Sequence, residues 1–309
     1  MRSERSACQL KGMPERWSLA KKVFRLAIGP EKWLKKHIVR RFGASEKSDQ
    51  LTLRTALLWG WCVDRFRRNV AVAAKVRELG GEGRLRVLDA GAGDFGVGAF
   101  LPPDKFGVCS VDVDWMMLAR NRTSGPAVVA SGCSLPFSDG AFDVVVSVDC
   151  LEHVPPKHRS LYLRELARVA RRRVVLHFPA LGPPEFQGEV FDFLFHNMYR
   201  WTRRKDLNIE EHLRNGLPQV RDVAARFPGC AVSGRENCDL WVRYMLLDRM
   251  PYLCFMAGAM LWPSRNDLDK PPYHAALLVY DKACAGSGFA PKLGADSRNG
   301  RSEDSLWTL

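Results

Sequence analysis

The sequence predicts an α/β fold: a doubly wound, mostly parallel sheet of about seven strands, preceded by a basic helical extension and covered by a lid insertion. Three observations predict it. From Arg84 onward, short β-branched runs alternate with helical stretches, the pattern of a sheet with helices on both faces. The hydrophobic run Val87-Leu88-Asp89-Ala90 passes directly into a glycine-rich turn, Gly91-Ala92-Gly93 with Gly96 close behind. Finally, the net charge of +13 is confined to one end: residues 1–86 hold 21 Lys+Arg against 8 Asp+Glu, and the remainder is balanced.

The 309 residues are 46% hydrophobic and 26% charged, enough to bury a sizeable core and unlike a disordered or fibrous chain. The nine cysteines, at 8, 62, 109, 133, 150, 230, 238, 254 and 284, form no CxxC pair or zinc-type spacing, so they read as reduced thiols of a cytoplasmic protein with no metal. The longest apolar stretch, Met250 to Trp262, is short for a bilayer and contains Pro251, so no transmembrane helix is expected.

In chain order, Trp17 to Phe42 reads as two amphipathic helices broken at Gly29-Pro30, with polar faces that are almost wholly Lys and Arg. Such a pair suits an anionic membrane surface, a phosphate backbone, or simple packing on the body. Residues Leu51 to Leu79 continue as helix until Gly80-Gly81. The expected strands are Arg86–Asp89, Val108–Val113, Ala127–Ala130, Val144–Val148 and Val174–Phe178, then one near Val232 and a last one, Ala275–Tyr280. Lys157 to Ala170 is expected as helix, with Leu163, Leu166, Ala167 and Ala170 on one face. Residues 180–228, rich in aromatics, charges and prolines, read as an insertion over the C-terminal edge of the sheet, followed by a long apolar helix from about Leu240 to Trp262. The chain therefore divides into an extension, 1–80, a catalytic-type domain, 81–285, with its lid at about 180–270, and a tail, 286–309, expected to be disordered.

The glycine turn alone fits a dinucleotide site as well as other nucleoside sites. Its neighbours discriminate. A pyrophosphate seeks backbone N–H groups and positive potential, whereas this strand ends in Asp89 and the turn contains Asp94. Acids there suit a cationic ligand without phosphate, such as S-adenosylmethionine. The next strand ends at Val111-Asp112-Val113-Asp114, which places a carboxylate to accept from both hydroxyls of a ribose.

With Val87 to Gly93, Asp112, the run Ser134-Leu135-Pro136-Phe137-Ser138-Asp139-Gly140-Ala141-Phe142-Asp143-Val144-Val145 and the run Ser147-Val148-Asp149-Cys150-Leu151-Glu152-His153-Val154, the chain resembles the class I S-adenosylmethionine-dependent methyltransferases, in the type 11 branch. The resemblance covers roughly residues 85–180. It implies a Rossmann-like fold and S-adenosyl-L-methionine (SAM) as cofactor. It further implies that Asp89, Gly91 and Gly93 hold the methionine end and that Asp112, with Val113 beside it, binds the ribose. The family's acid for the adenine amino group stands four residues before Leu-Pro-Phe, where this chain has Ser131, leaving Gly132, Cys133 and Ser134 to meet the ring edge. Val148 and Asp149 are expected to face the ligand crevice. A third family glycine is replaced by Phe95, with Gly96 one residue later, which implies a shifted turn. The usual proline-glycine turn before the fifth strand is replaced by Arg171-Arg172-Arg173, read as a solvated link.

No spacing singles out a catalytic residue. The candidates for a general base are His153, His177, His196, Glu211 and His212, with His153 and His212 foremost, and each also fits an ordinary structural role. Phe186, Phe191, Phe193, Phe195, Tyr199, Trp201 and Trp241 in the insertion suit an apolar or ring-bearing acceptor, or a small core of the lid itself. Three functions follow: a methyltransferase for a small-molecule, lipid-linked or sugar-derived acceptor, with residues 17–42 resting peripherally on an anionic membrane; a nucleic-acid methyltransferase gripping RNA with the same residues; or a cofactor-binding protein without turnover.

Overall fold

The computed structural model describes residues 63–80, 83–94, 96–121, 123, 125–201, 207–238, 241 and 270–282. The expected helices in 17–42, the start of the 51–79 helix, Phe95, nearly all of the apolar helix to Trp262, and the tail lie outside them. The compact unit that carries the sheet begins at Arg67.

Helix α1, Val63–Arg77, buries Val72, Ala73 and Val76 on one face and gives way at Gly80, whose φ of +39° favours glycine. Then follow β1 (Leu85–Ala90), β2 (Phe106–Asp112), a short α2 (Trp115–Leu118) and β3 (Ala127–Val129). After these come β4 (Phe142–Val148), α3 (Pro156–Val169) and β5 (Ala170–Pro179). The sheet order is β3-β2-β1-β4-β5-β7-β6, in which β6 is Ala231–Asn237 and β7 is Tyr273–Asp281. The first five strands are parallel, and β7 inserts antiparallel between β5 and β6. All seven expected strands are present, and each centres within a residue or two of its expected place. The central ones are almost continuously buried, as parallel strands covered on both faces must be.

Helix α3 starts with Pro156, which has the φ a first helical turn requires and lacks only an N–H the helix could not use there. It buries Tyr162, Leu163, Leu166 and Val169 against Leu88, Val145, Val174 and Leu176. Its Arg168 also fixes the loop ahead of β4. The guanidinium donates to the carbonyls of Leu135 and Phe137, to Asp139 and to Glu165, while Glu165 accepts from the Leu135 amide at 2.9 Å.

The Arg171-Arg172-Arg173 link is corrected by the structure. The helix passes into β5 at Ala170 with no intervening loop, and the arginines are in the strand. Arg171 pairs with the buried Asp143, Arg172 reaches the Leu79 carbonyl, and Arg173 grips Asp281 of β7 with two N–H groups at 2.6 and 2.8 Å. Arg173 is thereby drawn largely out of solvent, while the Arg171 side chain stays 57% exposed. Burial pushes the Asp143 carboxyl up, but the Arg86 amide and the Arg171 guanidinium hold it below its ordinary range.

The insertion carries α4 (Gly188–Trp201), α5 (Leu207–Asn215) and α6 (Val220–Ala224). Its expected extent of 180–270 is too long, because the chain returns to the sheet at β6.

Candidate active site

The β1–β2 crossover builds the turn. The amides of Gly91 and Ala92 donate to Val111 O at 2.8 and 3.0 Å, drawing the chain tightly across the end of β2. Gly91 has φ +76°, and a Cβ there would stand 2.3 Å from Cys150 Sγ, so both conformation and space demand glycine. Gly93 donates to Asp112 Oδ2 and Asp114 to Asp112 Oδ1, each at 2.9 Å. Each Asp112 oxygen has thus taken one donor and can take another, the capacity that two ribose hydroxyls need.

Beside this turn lies a cavity of about 520 Å³, within the range of small-ligand sites. Its wall includes Gly91, Asp112, Val113, Ser131, Gly132 and Cys133, so six of the ten expected cofactor residues converge on one space. The wall also includes His153. Gly132 lies so close to Tyr162 that a Cβ would stand 2.2 Å from its ring. Ser131 Oγ accepts from the Cys133 amide at 3.2 Å, closing the turn that presents this segment.

Cys150, Val154, Pro155, His158, Leu161 and Tyr162 complete much of the wall. Sequence reasoning misses them: the apolar period of α3 picks out its core face and not His158, Leu161 and Tyr162 as cavity lining, and Cys150, Val154 and Pro155 lie on the loop before that helix. Tyr162 shares a 2.8 Å hydrogen bond with Ser147 Oγ, and its pKa is pushed well above the ordinary tyrosine value, first by burial. Burial likewise pushes the Cys150 thiol up to about 12. Neither ionises at neutral pH, and both serve as shape.

Four expected cofactor residues are not on this wall. Asp89 is 1% exposed, accepts from the Val97 amide at 2.6 Å, and so caps the 3-10 turn that follows the glycines. Burial, together with the nearby Asp112, raises its pKa to about 7 against the lowering effect of that amide. Gly93 supports Asp112 from behind. Val148 ends β4, and Asp149, at φ +46°, turns its carboxylate to Arg68 and to His177 Nδ1, the latter at 2.6 Å.

His153, His212 and His274 each meet an acid, the last two in the buried interior and His153 at a partly exposed position. His153 Nδ1 meets Glu211 Oε2 at 2.8 Å, and His212 Nδ1 meets Asp192 Oδ2 at 2.8 Å; His212 is not part of the cavity wall, but its ring lies 5.0 Å from that of His153. Asp192 also meets His274 Nε2 at 3.4 Å, and Trp241 stacks on His274 at 3.9 Å. Burial opposes charge on Asp192, yet its two histidines bring its pKa down to about 2; Asp192 and Glu236 lift His274 to about 9 against burial. His177 is buried in β5 against Asp149, and His196 lies on α4 away from the cavity wall. The lid docks through Arg159, which donates to Gly216 O at 2.5 Å and to Val154 O at 3.0 Å.

A family model described as a methyltransferase domain matches residues 88–178. Norajmaline N-methyltransferase of Rauvolfia serpentina is 43% identical over 42 residues, which span 14% of this chain and 14% of that protein. Among solved structures, a SAM-dependent methyltransferase from Archaeoglobus fulgidus aligns at 16% identity and TM-score 0.43, over 71% of this chain and 97% of its own. Magnesium protoporphyrin IX methyltransferase from Synechocystis PCC 6803, solved with bound SAM, aligns at 20% identity and TM-score 0.33, over 55% and 78%. Residues 88–178, whose strands build the glycine turn and the Asp112 cradle, are thus the part of the chain that matches a methyltransferase domain.

Proposed function

We propose that this protein transfers a methyl group from SAM to a small-molecule, lipid-linked or sugar-derived acceptor. The observation that carries the reading is the cavity itself: one space shares the Asp112 cradle and Gly91 with a mainly apolar lining of Val154, Pro155, Leu161 and Tyr162. SAM supplies an electrophilic methyl on a sulfonium. The protein's share is positioning and exclusion of water, which favour a displacement in which charge is neutralised. Cys150 and Tyr162 remain protonated and do not compete as nucleophiles. The imidazoles of the wall are His153 and His158, and Glu211 fixes the His153 ring. The relative from Rauvolfia serpentina, named for a small molecule, supports an acceptor of this class.

The basic residues 17–42 support peripheral contact with an anionic membrane, which would bring lipid-linked acceptors within reach. No helix among the described residues is long and apolar enough to cross a membrane. The test is transfer of a radiolabelled methyl group in a cell extract, followed by separation into organic-soluble, water-soluble small-molecule and RNA fractions. Label in either of the first two is expected. Label in RNA, or SAM binding with no transfer, would overturn the reading.

A further inference from the structure

Glu152 is 1% exposed at the start of the loop leading to α3, and neither of its carboxylate oxygens has a hydrogen-bond partner among the described residues. A buried carboxylate left so costs several kcal/mol unless something compensates its charge. Arg159 passes nearby but donates to the carbonyls of Glu152, Val154, Asn215 and Gly216 rather than to that carboxylate. What does face Glu152 Oε1 is a pair of imidazole nitrogens, His153 Nε2 and His212 Nε2, each 4.0 Å away. The second of these is also buried and without a hydrogen-bond partner.

We propose that Glu152, His153 and His212 form a binding site for a divalent transition cation of the zinc class. One ligand atom from each residue lies within 4.8 Å of the other two. Ligands held at the usual 2.0–2.2 Å from zinc stand about 3.4 Å apart in a tetrahedral shell, so the two imidazole–carboxylate pairs at 4.0 Å need close by about half an ångström and no pair by more than about 1.4 Å. The outer hydrogen bonds are those of a metal centre. Glu211 holds His153 Nδ1 and Asp192 holds His212 Nδ1, each at 2.8 Å, which directs both Nε2 lone pairs inward and raises their basicity. Two imidazoles and one carboxylate leave coordination positions for water or substrate. Because His153 is also part of the cavity wall, the ion would sit one side chain from the acceptor space. The lid brings His212 and Glu211 to the loop residues, so the cation would also tie α5 to the body.

The site depends on these residues alone and not on the methyl-transfer reading. The test is titration of the full-length protein with Co²⁺, read by visible absorption, alongside SAM binding by calorimetry as a separate measurement. One equivalent is expected, with ligand-field bands and no thiolate charge-transfer band, which separates this site from the cysteines. Glu152→Gln and His212→Gln are expected to lose the bands, Asp192→Asn to weaken binding about 10–100-fold, and His196→Gln to change nothing. His153→Gln, at a partly exposed position, provides the loss if the buried variants fail to fold. Absence of stoichiometric binding in wild type, or undiminished binding in the folded ligand variants, would overturn the site whether or not SAM binds.

Discussion

Replacing Asp89 by Asn tests the electrostatics of the glycine turn. The folded carboxyl titrates at about 7, against an ordinary value of 3.8, chiefly because it is buried. The unfolded chain therefore loses this proton about three pH units before the folded one does. Between those values the folded state binds more protons, so folding loses about 1.4 kcal/mol per pH unit as pH rises, to a total of roughly 4 kcal/mol by pH 7. Asn keeps an oxygen for the Val97 amide but never ionises. Its own burial cost is the same at every pH and cancels in a comparison. The stability advantage of Asp89→Asn over wild type should grow by about 3 kcal/mol between pH 5 and pH 8, measured by urea unfolding at both values. A pH-independent difference would refute the reasoning. Cofactor binding must show the converse. A cationic ligand on the turn prefers ionised Asp89, so SAM should bind wild type with proton release at pH 6 and little at pH 8, and its affinity should rise across that interval. In the variant this pH dependence should vanish, with no proton release, as calorimetry in buffers of different ionisation enthalpy would show.

The other predictions are more local. Gly91→Ala meets Cys150 at 2.3 Å in a left-handed backbone, so SAM binding should be lost and stability reduced by about 1–3 kcal/mol, both readable in one set of thermal melts with and without ligand. Arg173→Ala leaves Asp281 without its two-pronged partner across the β5–β7 pair and should cost about 1–2 kcal/mol in urea unfolding, with SAM affinity unchanged. The buried His274–Asp192 contact has opposite titrations at its two ends. The raised His274 adds stability below 6.5 that is lost as pH rises through about 9, and the lowered Asp192 adds stability above 3.8 that is lost as pH falls through about 2. The urea midpoint should therefore drop from pH 6.5 to 9.5 in wild type and less so in Asp192→Asn.

The strands were legible because a parallel sheet needs apolar side chains on both faces, and runs such as Val144–Val148 and Val174–Phe178 satisfy that locally. The turn was legible for a similar reason, since Gly91 and Gly93 answer a backbone requirement within a few residues. What local patterns could not supply is the partner of a charge. Arg171 and Arg173 look solvated until Asp143 and Asp281 are brought beside them from 28 and 108 residues away. His153 and His212 could be nominated one at a time, but Glu211 and Glu152, which give each a role, approach only when the lid folds onto the loop. The same applies to Cys150 and Tyr162, which reach the cofactor side of the cavity from the far end of the crossover. Hydrophobic burial is written in the period of the sequence, whereas compensation of a buried charge is an agreement between distant segments. The carboxylate of Glu152, buried with no hydrogen-bond partner among the described residues, is the place where that agreement is incomplete without a cation.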